Sequence, residues 1–254
     1  MNNRSNKLNR LVLPLVIIGG VLVIFAFVFA FTVTPLVSGE AATNGFLVIG
    51  GQYVTNKLLL SQKIFYFHMP AAIVSMVALV FTAVYAILFL KTRNDKYDMR
   101  ARTATEVSLV FVIMTMASGE AWERYDWGIW WTWDPRLTTY LILMLMVFAY
   151  FVLRTAVSDP ERRAVYSSVF GIIVFINVPI CFMVTRLIPS SIHPVVFSTD
   201  SGLPPLMLVP LFAAMLGFGC LAFAFYRQRL RTLQMKERIE TLKMRLDDLE
   251  EMRG

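Results

Sequence analysis

The sequence predicts an all-α polytopic membrane protein with six transmembrane helices, and three observations carry that prediction. Of the 254 residues, 57% are hydrophobic and only 16% are charged, a balance outside the range of soluble domains. Six stretches are long and apolar enough to cross a hydrocarbon core about 30 Å thick. The lysines and arginines lie between those stretches instead of forming one basic face, so the formal net charge of +7 reflects membrane topology and not nucleic-acid binding.

Taken in order, the first span covers residues 11–35. Arg4, Lys7 and Arg10 precede it, and it is too long for a signal-peptide core and lacks a cleavage site, which makes it an uncleaved helix. Phe46 to Leu60 is apolar in part but contains Gly50, Gly51, Gln52, Asn56 and Lys57, so it is expected to be an interfacial segment on the external side. The remaining spans are expected at 69–90, 104–121, 137–155, 166–187 and 204–226. The third, with Glu106 and Glu120 near its ends, reads as short or tilted. Cys181 and Cys220 both fall inside apolar segments and no Cys-x-x-Cys occurs, so neither a disulfide nor a redox compartment can be read from them.

Positive charge is retained on the cytoplasmic side. Only Lys57, Lys63, Arg124, Arg136 and Arg186 of the 24 basic residues fall on the other side, which predicts that both termini are cytoplasmic. The chain then divides into a membrane domain, residues 1–226, with an external loop at 121–137, and a tail, 227–254. In the tail, Met235, Ile239, Leu242, Leu246 and Leu249 recur at alternating spacings of four and three among charged residues, the pattern of an amphipathic helix. Such a helix can lie on membrane lipid or dock on a partner or a second copy.

All five tryptophans lie between Trp122 and Trp133, whereas interfacial anchors are ordinarily scattered over both membrane faces. The two histidines, His68 and His193, are placed by the six-span reading on that same external side. Imidazole is the usual axial ligand of haem iron, and a planar macrocycle takes one ligand above and one below, from distant segments. Indoles offer it a flat, stiff apolar surface. The five external cations are candidates to meet the haem propionates, Arg136 first among them. Asp134 is expected to accept hydrogen bonds from loop N–H groups or to pair with Arg136. Pro70 is expected in the first turn of span two, where it costs no hydrogen bond, and Pro194 restricts the backbone at His193. The bland alternatives are interfacial histidines and a re-entrant aromatic anchor.

The run Trp127-Gly128-x-x-Trp131-x-Trp133-Asp134-x-Arg136-Leu137-Thr138 resembles the tryptophan-rich WWD signature of the haem-handling proteins of cytochrome c biogenesis. Phe67-His68-Met69-Pro70-Ala71-Ala72 is similar to the histidine motif at the second span of one group among them, the CcmC (haem exporter protein C) family, and the likeness covers most of residues 60–225. What it implies is a protein of the cytoplasmic (inner) membrane that holds non-covalent haem b on its outer face. His68 and His193 would be the axial ligands, and Trp122, Trp127, Trp130, Trp131, Trp133, Asp134 and Arg136 would surround the ring. The implied partners are a periplasmic haem chaperone, a small single-span helper and the ATPase and permease subunits of an ABC transporter. The approach Trp122-Glu123-Arg124-Tyr125-Asp126 departs from the family's Gly- and Pro-containing one.

The expected role is therefore haem binding and delivery, not catalysis. No Cys-x-x-Cys-His is available to hold haem covalently, and two histidines are too few for a second haem. An alternative is a membrane haem lyase acting on apocytochrome c, although the larger proteins that do this resemble the chain only in part and carry additional histidines. Another is a permease, whose polar mid-span groups would have to come from Thr82, Thr115, Thr138 and Asn177. No phosphate-binding loop is present, so ATP hydrolysis would fall to a partner.

Overall fold

The computed structural model describes residues 10–34, 46–49, 52–188 and 205–252, and describes no side chains for residues 46–62, Asp126 or Trp127. The elements run α1 (Val12–Thr32), β1 (Phe46–Ile49), β2 (Gln52–Thr55), α2 (Asn56–Thr92), α3 (Asp95–Trp127), α4 (Pro135–Ala156), α5 (Pro160–Leu187) and α6 (Pro205–Glu251). Each of the six helices is long and apolar enough to cross a membrane. The helical, six-span expectation therefore holds.

The helices are longer than hydropathy alone suggested. Helix α2 starts at Asn56, thirteen residues before the expected span, because its first turns are polar yet free of helix breakers. Pro70 consequently lies inside α2 and not in its first turn, which corrects the earlier expectation. An internal proline removes one backbone bond from the helix, and it does so two residues beyond His68. The stretch from Phe46 takes a shape that hydropathy did not specify. It forms an antiparallel hairpin with Phe46 opposite Thr55 and Ile49 opposite Gln52, leading straight into α2. The residues between the strands in sequence are Gly50 and Gly51, a pair that two-residue hairpins favour.

Tight connections set the helices antiparallel. Asn94 caps α3 by accepting from Lys96 N at 3.1 Å. Asp159 caps α5 by accepting from Arg162 N at 2.7 Å, with Pro160 in the first turn, where its missing N–H costs nothing. Helix α2 is central, packing on α3, α5, α6 and α1, and it contributes to all three apolar clusters. Buried polar side chains tie it in place: Ser75 Oγ and Tyr140 Oη lie 2.9 Å apart, Ser108 Oγ donates to Ser75 O at 3.1 Å, and Thr82 and Thr105 hydroxyls meet at 3.1 Å. Asn177 Nδ2 donates to Thr139 O at 3.0 Å, joining α5 to α4. Polar groups shielded from water are satisfied between helices in this way.

Helix α1 is peripheral, with only 11% of its most apolar window buried. It packs chiefly on α6, where Gly19 and Gly217 meet so closely that a Cβ on Gly217 would stand 3.0 Å from Gly19 O and 3.1 Å from Val23 N. Small residues let backbones approach in this manner.

Candidate functional site

The tryptophan window forms the turn between α3 and α4. Helix α3 ends at Trp127, and Gly128 follows with φ 78°, the left-handed conformation that terminates helices and that glycine adopts without strain. Helix α4 begins at Pro135. Asp134 is its N-cap, buried at 7% exposure, and its Oδ1 accepts from Arg136 N at 2.9 Å. Local chemistry thus fixes both ends of the turn.

Beneath this turn, α2, α3 and α4 enclose a cleft lined by His68, Gly119, Glu120, Trp131, Arg136 and Tyr140, with Thr115 deeper down; its volume is about 30 Å³. The structure therefore brings His68, Trp131 and Arg136 together, as the sequence led one to expect. His193 lies outside the described residues. Helix α5 ends and α6 begins at the His68 end of the bundle. Cys181 packs at the level of Met116 and Tyr140, and Met207 packs against Phe65, Tyr66 and Met69.

The imidazole is oriented by its neighbours. Its Nδ1 lies 3.0 Å from Ser118 Oγ, and that hydroxyl donates its own hydrogen to Met114 O at 2.7 Å. Ser118 thus holds the ring through Nδ1. A hydrogen-bond partner on one imidazole nitrogen is the arrangement usual for a metal-ligating histidine. Trp122 meets the ring edge-on with centroids 5.6 Å apart and touches Phe65 in the same manner at 6.3 Å. Gly119 provides the floor: a Cβ there would stand 3.1 Å from His68 Cε1.

The other tryptophans divide by exposure. Trp131 is partly buried against the main apolar cluster and meets Trp133 edge-on at 5.8 Å, while Trp130 and Trp133 are 65% and 76% exposed. The side chain of Trp127 lies outside the described residues. Of the five cations that the sequence assigned to the external side, Arg136 is the one whose described side chain lines the cleft. Arg124 donates to Gly128 O and stacks over Trp130 at 5.8 Å, so it shapes the turn. Lys63 is buried and donates to Ala30 O and, at 2.9 Å, to Thr34 Oγ1, tying α2 to the end of α1. Arg186 donates to Phe182 O at 3.3 Å. Lys57 has no described side chain.

Sequence reasoning missed Ser118, Gly119 and Glu123. Thr115, Ser118, Gly119 and Trp122 stand at i, i+3, i+4 and i+7, one helical stripe, and that spacing could have shown them facing α2. Glu123, only 1% exposed, is enclosed beneath the turn beside Thr132, at a position inside the departure from the family pattern.

Residues 22–245 match the family described as heme exporter protein C. The chain belongs to that family. A heme exporter protein C of Bradyrhizobium diazoefficiens is 31% identical over 187 residues, 72% of this chain and 70% of that protein. The heme exporter protein C of Escherichia coli K12 is 28% identical over 173 residues, 68% and 70% of the two chains. A Marchantia polymorpha protein described as a cytochrome c biosynthesis ccmC-like mitochondrial protein is 33% identical over 171 residues, 65% of this chain and 71% of that protein. The family match includes the cleft, the tryptophan turn and most of α6.

Proposed function

We propose that the chain handles haem for cytochrome c maturation in the cytoplasmic membrane, binding haem b without covalent attachment at the external face and handing it to a periplasmic haem chaperone. The observation that carries this reading is the placement of His68, whose ring, held against Ser118, lines a cleft that also presents an indole and a guanidinium. Those groups fit haem: imidazole for the iron, Trp131 for the apolar ring and Arg136 for a propionate. His193 would supply the second imidazole to the iron, and both termini are proposed to be cytoplasmic from the distribution of lysine and arginine.

In this mechanism His68 binds from the α2 side while Ser118 and Gly119 hold its ring. Arg136, at the start of α4, supplies fixed charge at the rim. Trp130 and Trp133, which point outward, form the side on which a receiving protein would approach, so that the cargo changes hands without entering water. The protein binds and transfers and makes no bonds. ATP hydrolysis belongs to ABC-type partner subunits, and a small single-span helper completes the proposed assembly.

The test is the optical spectrum of the purified protein. Low-spin bis-imidazole bands are expected in the wild type and are expected to disappear in both His68→Ala and His193→Ala. Bands unchanged by His68→Ala would overturn the cleft as the haem site, and bands unchanged by His193→Ala would overturn only the second ligand.

A further inference from the structure

Helix α6 does not stop where its apolar half ends. It runs unbroken for 47 residues to Glu251, with neither proline nor glycine after Gly219 until the terminal Gly254. Its root is held firmly. Leu230 is buried at 3% exposure, and Arg229 reaches Glu106 of α3 through Nε at 2.7 Å and Nη2 at 3.0 Å, while Arg102 binds the same carboxylate at 3.1 Å. From Gln234 to Met252 every residue is exposed. The helix therefore leaves the bundle along the axis of its span and projects about 30 Å beyond it.

The projecting part has a 3.5-residue repeat. Met235, Leu242 and Leu249 occupy one heptad core position and Thr232, Ile239 and Leu246 the other, and the apolar residues of this seam are 46–58% exposed. The charges are sorted around it. The flanking positions carry Arg231, Arg238 and Arg245 on one side and Lys236, Lys243 and Glu250 on the other. Glu237, Glu240, Asp247, Asp248 and Glu251 all lie on the back of the helix. None of the tail's charged residues from Arg231 to Glu251 makes an ion pair among the described residues.

Flanking charges choose the partner of such a seam. Two copies in parallel would set Arg231 against Lys236 and Arg238 against Lys243, leaving only Arg245 and Glu250 as an attractive pair. Antiparallel copies would set arginine largely against arginine and lysine against lysine. Like charges at these positions oppose association, so the sequence selects against a second copy. A basic-flanked apolar stripe also suits an anionic lipid surface. However, a helix fixed at its root by Leu230 and the Glu106 bridge, and continuous with a span, stands away from the headgroup plane. We infer that the seam from Met235 to Leu249 docks an amphipathic helix of another protein whose own apolar heptad stripe is flanked by Asp and Glu.

The probes are two synthetic helical peptides with leucine at both core positions, one with glutamate and one with lysine at the flanks. They are offered to the full chain in phosphatidylcholine nanodiscs, with and without phosphatidylglycerol. The glutamate peptide is expected to bind at least ten-fold more tightly than the lysine peptide, and to lose its binding in Leu242→Asp. In the chain carrying Lys236→Glu, Arg238→Glu, Lys243→Glu and Arg245→Glu the preference is expected to invert, an outcome that loss of folding cannot produce. Equal binding of the two peptides, or none, would overturn the inference. So would self-cross-linking of Leu242→Cys between copies, or membrane burial of a fluorophore on that cysteine when phosphatidylglycerol is present.

Discussion

At the end of the bundle that carries the tryptophan turn, charge is met by backbone and small polar groups. Asp134 accepts from Arg136 N, Arg124 donates to Gly128 O, and Lys63 closes the end of α1. At the opposite end, charge meets charge: Arg154 grips Asp98 through two bonds of 2.6 and 2.8 Å, and Glu106 is shared between Arg102 and Arg229. The first arrangement shapes a turn and leaves an open cleft walled by side chains of α2, α3 and α4. The second closes the helix ends against one another. The difference teaches that the two ends of the molecule are built on different principles, and that substitutions at them should affect different measurements.

The strongest challenge to that division is Arg154→Met. Both side chains of its pair are mostly buried, at 9% and 16% exposure, so removing the arginine leaves an enclosed carboxylate and should cost about 3–5 kcal/mol of stability, read from denaturant unfolding in detergent. Haem bound per folded molecule should be unchanged; a drop would show that the Arg154 end participates in the site. Ser118→Ala sharpens the comparison from the other side. Losing the hydroxyl that orients His68 should weaken haem binding by about 10- to 100-fold with the unfolding midpoint in place, and Ser118→Thr should recover most of it. The smallest effect belongs to Asp134→Ala, which removes an N-cap worth about 1 kcal/mol. Because all five tryptophans lie between residues 122 and 133, intrinsic fluorescence reports that end alone. Emission should shift toward the red in Asp134→Ala and stay constant in Arg154→Met.

The number of spans, the turn between α3 and α4, and the meeting of His68 with Trp131 and Arg136 were all legible in the residues. Hydropathy records which side chains avoid water, and it records helix boundaries poorly. The polar turns of α2 from Asn56 onward and the charged first turns of α3 from Asp95 were therefore lost, and Pro70 was set at a helix start when it lies within the helix. The hairpin at Phe46–Thr55 was missed because a short apolar run is ambiguous between strand and interfacial segment. Ser118 and Gly119 look unremarkable in a list of small residues; their roles follow only from α3 lying against the turn of α2 that bears His68. The tail was legible as a helix extending from span six through the spacing of Met235 to Leu249, and the backbone carries on past Tyr226 to Glu251.

That unbroken helix has a mechanical consequence. It is a rod about 70 Å long. At one tip, Met207 and Leu211 press on Phe65, Tyr66 and Met69, the turn that holds the histidine. About a quarter of the way along it crosses α1 at the Gly19 and Gly217 contact, where two backbones touch. The helix that touches the turn bearing His68 is therefore the same one that carries the exposed seam at Leu246, so the two share one continuous backbone with no loop between them.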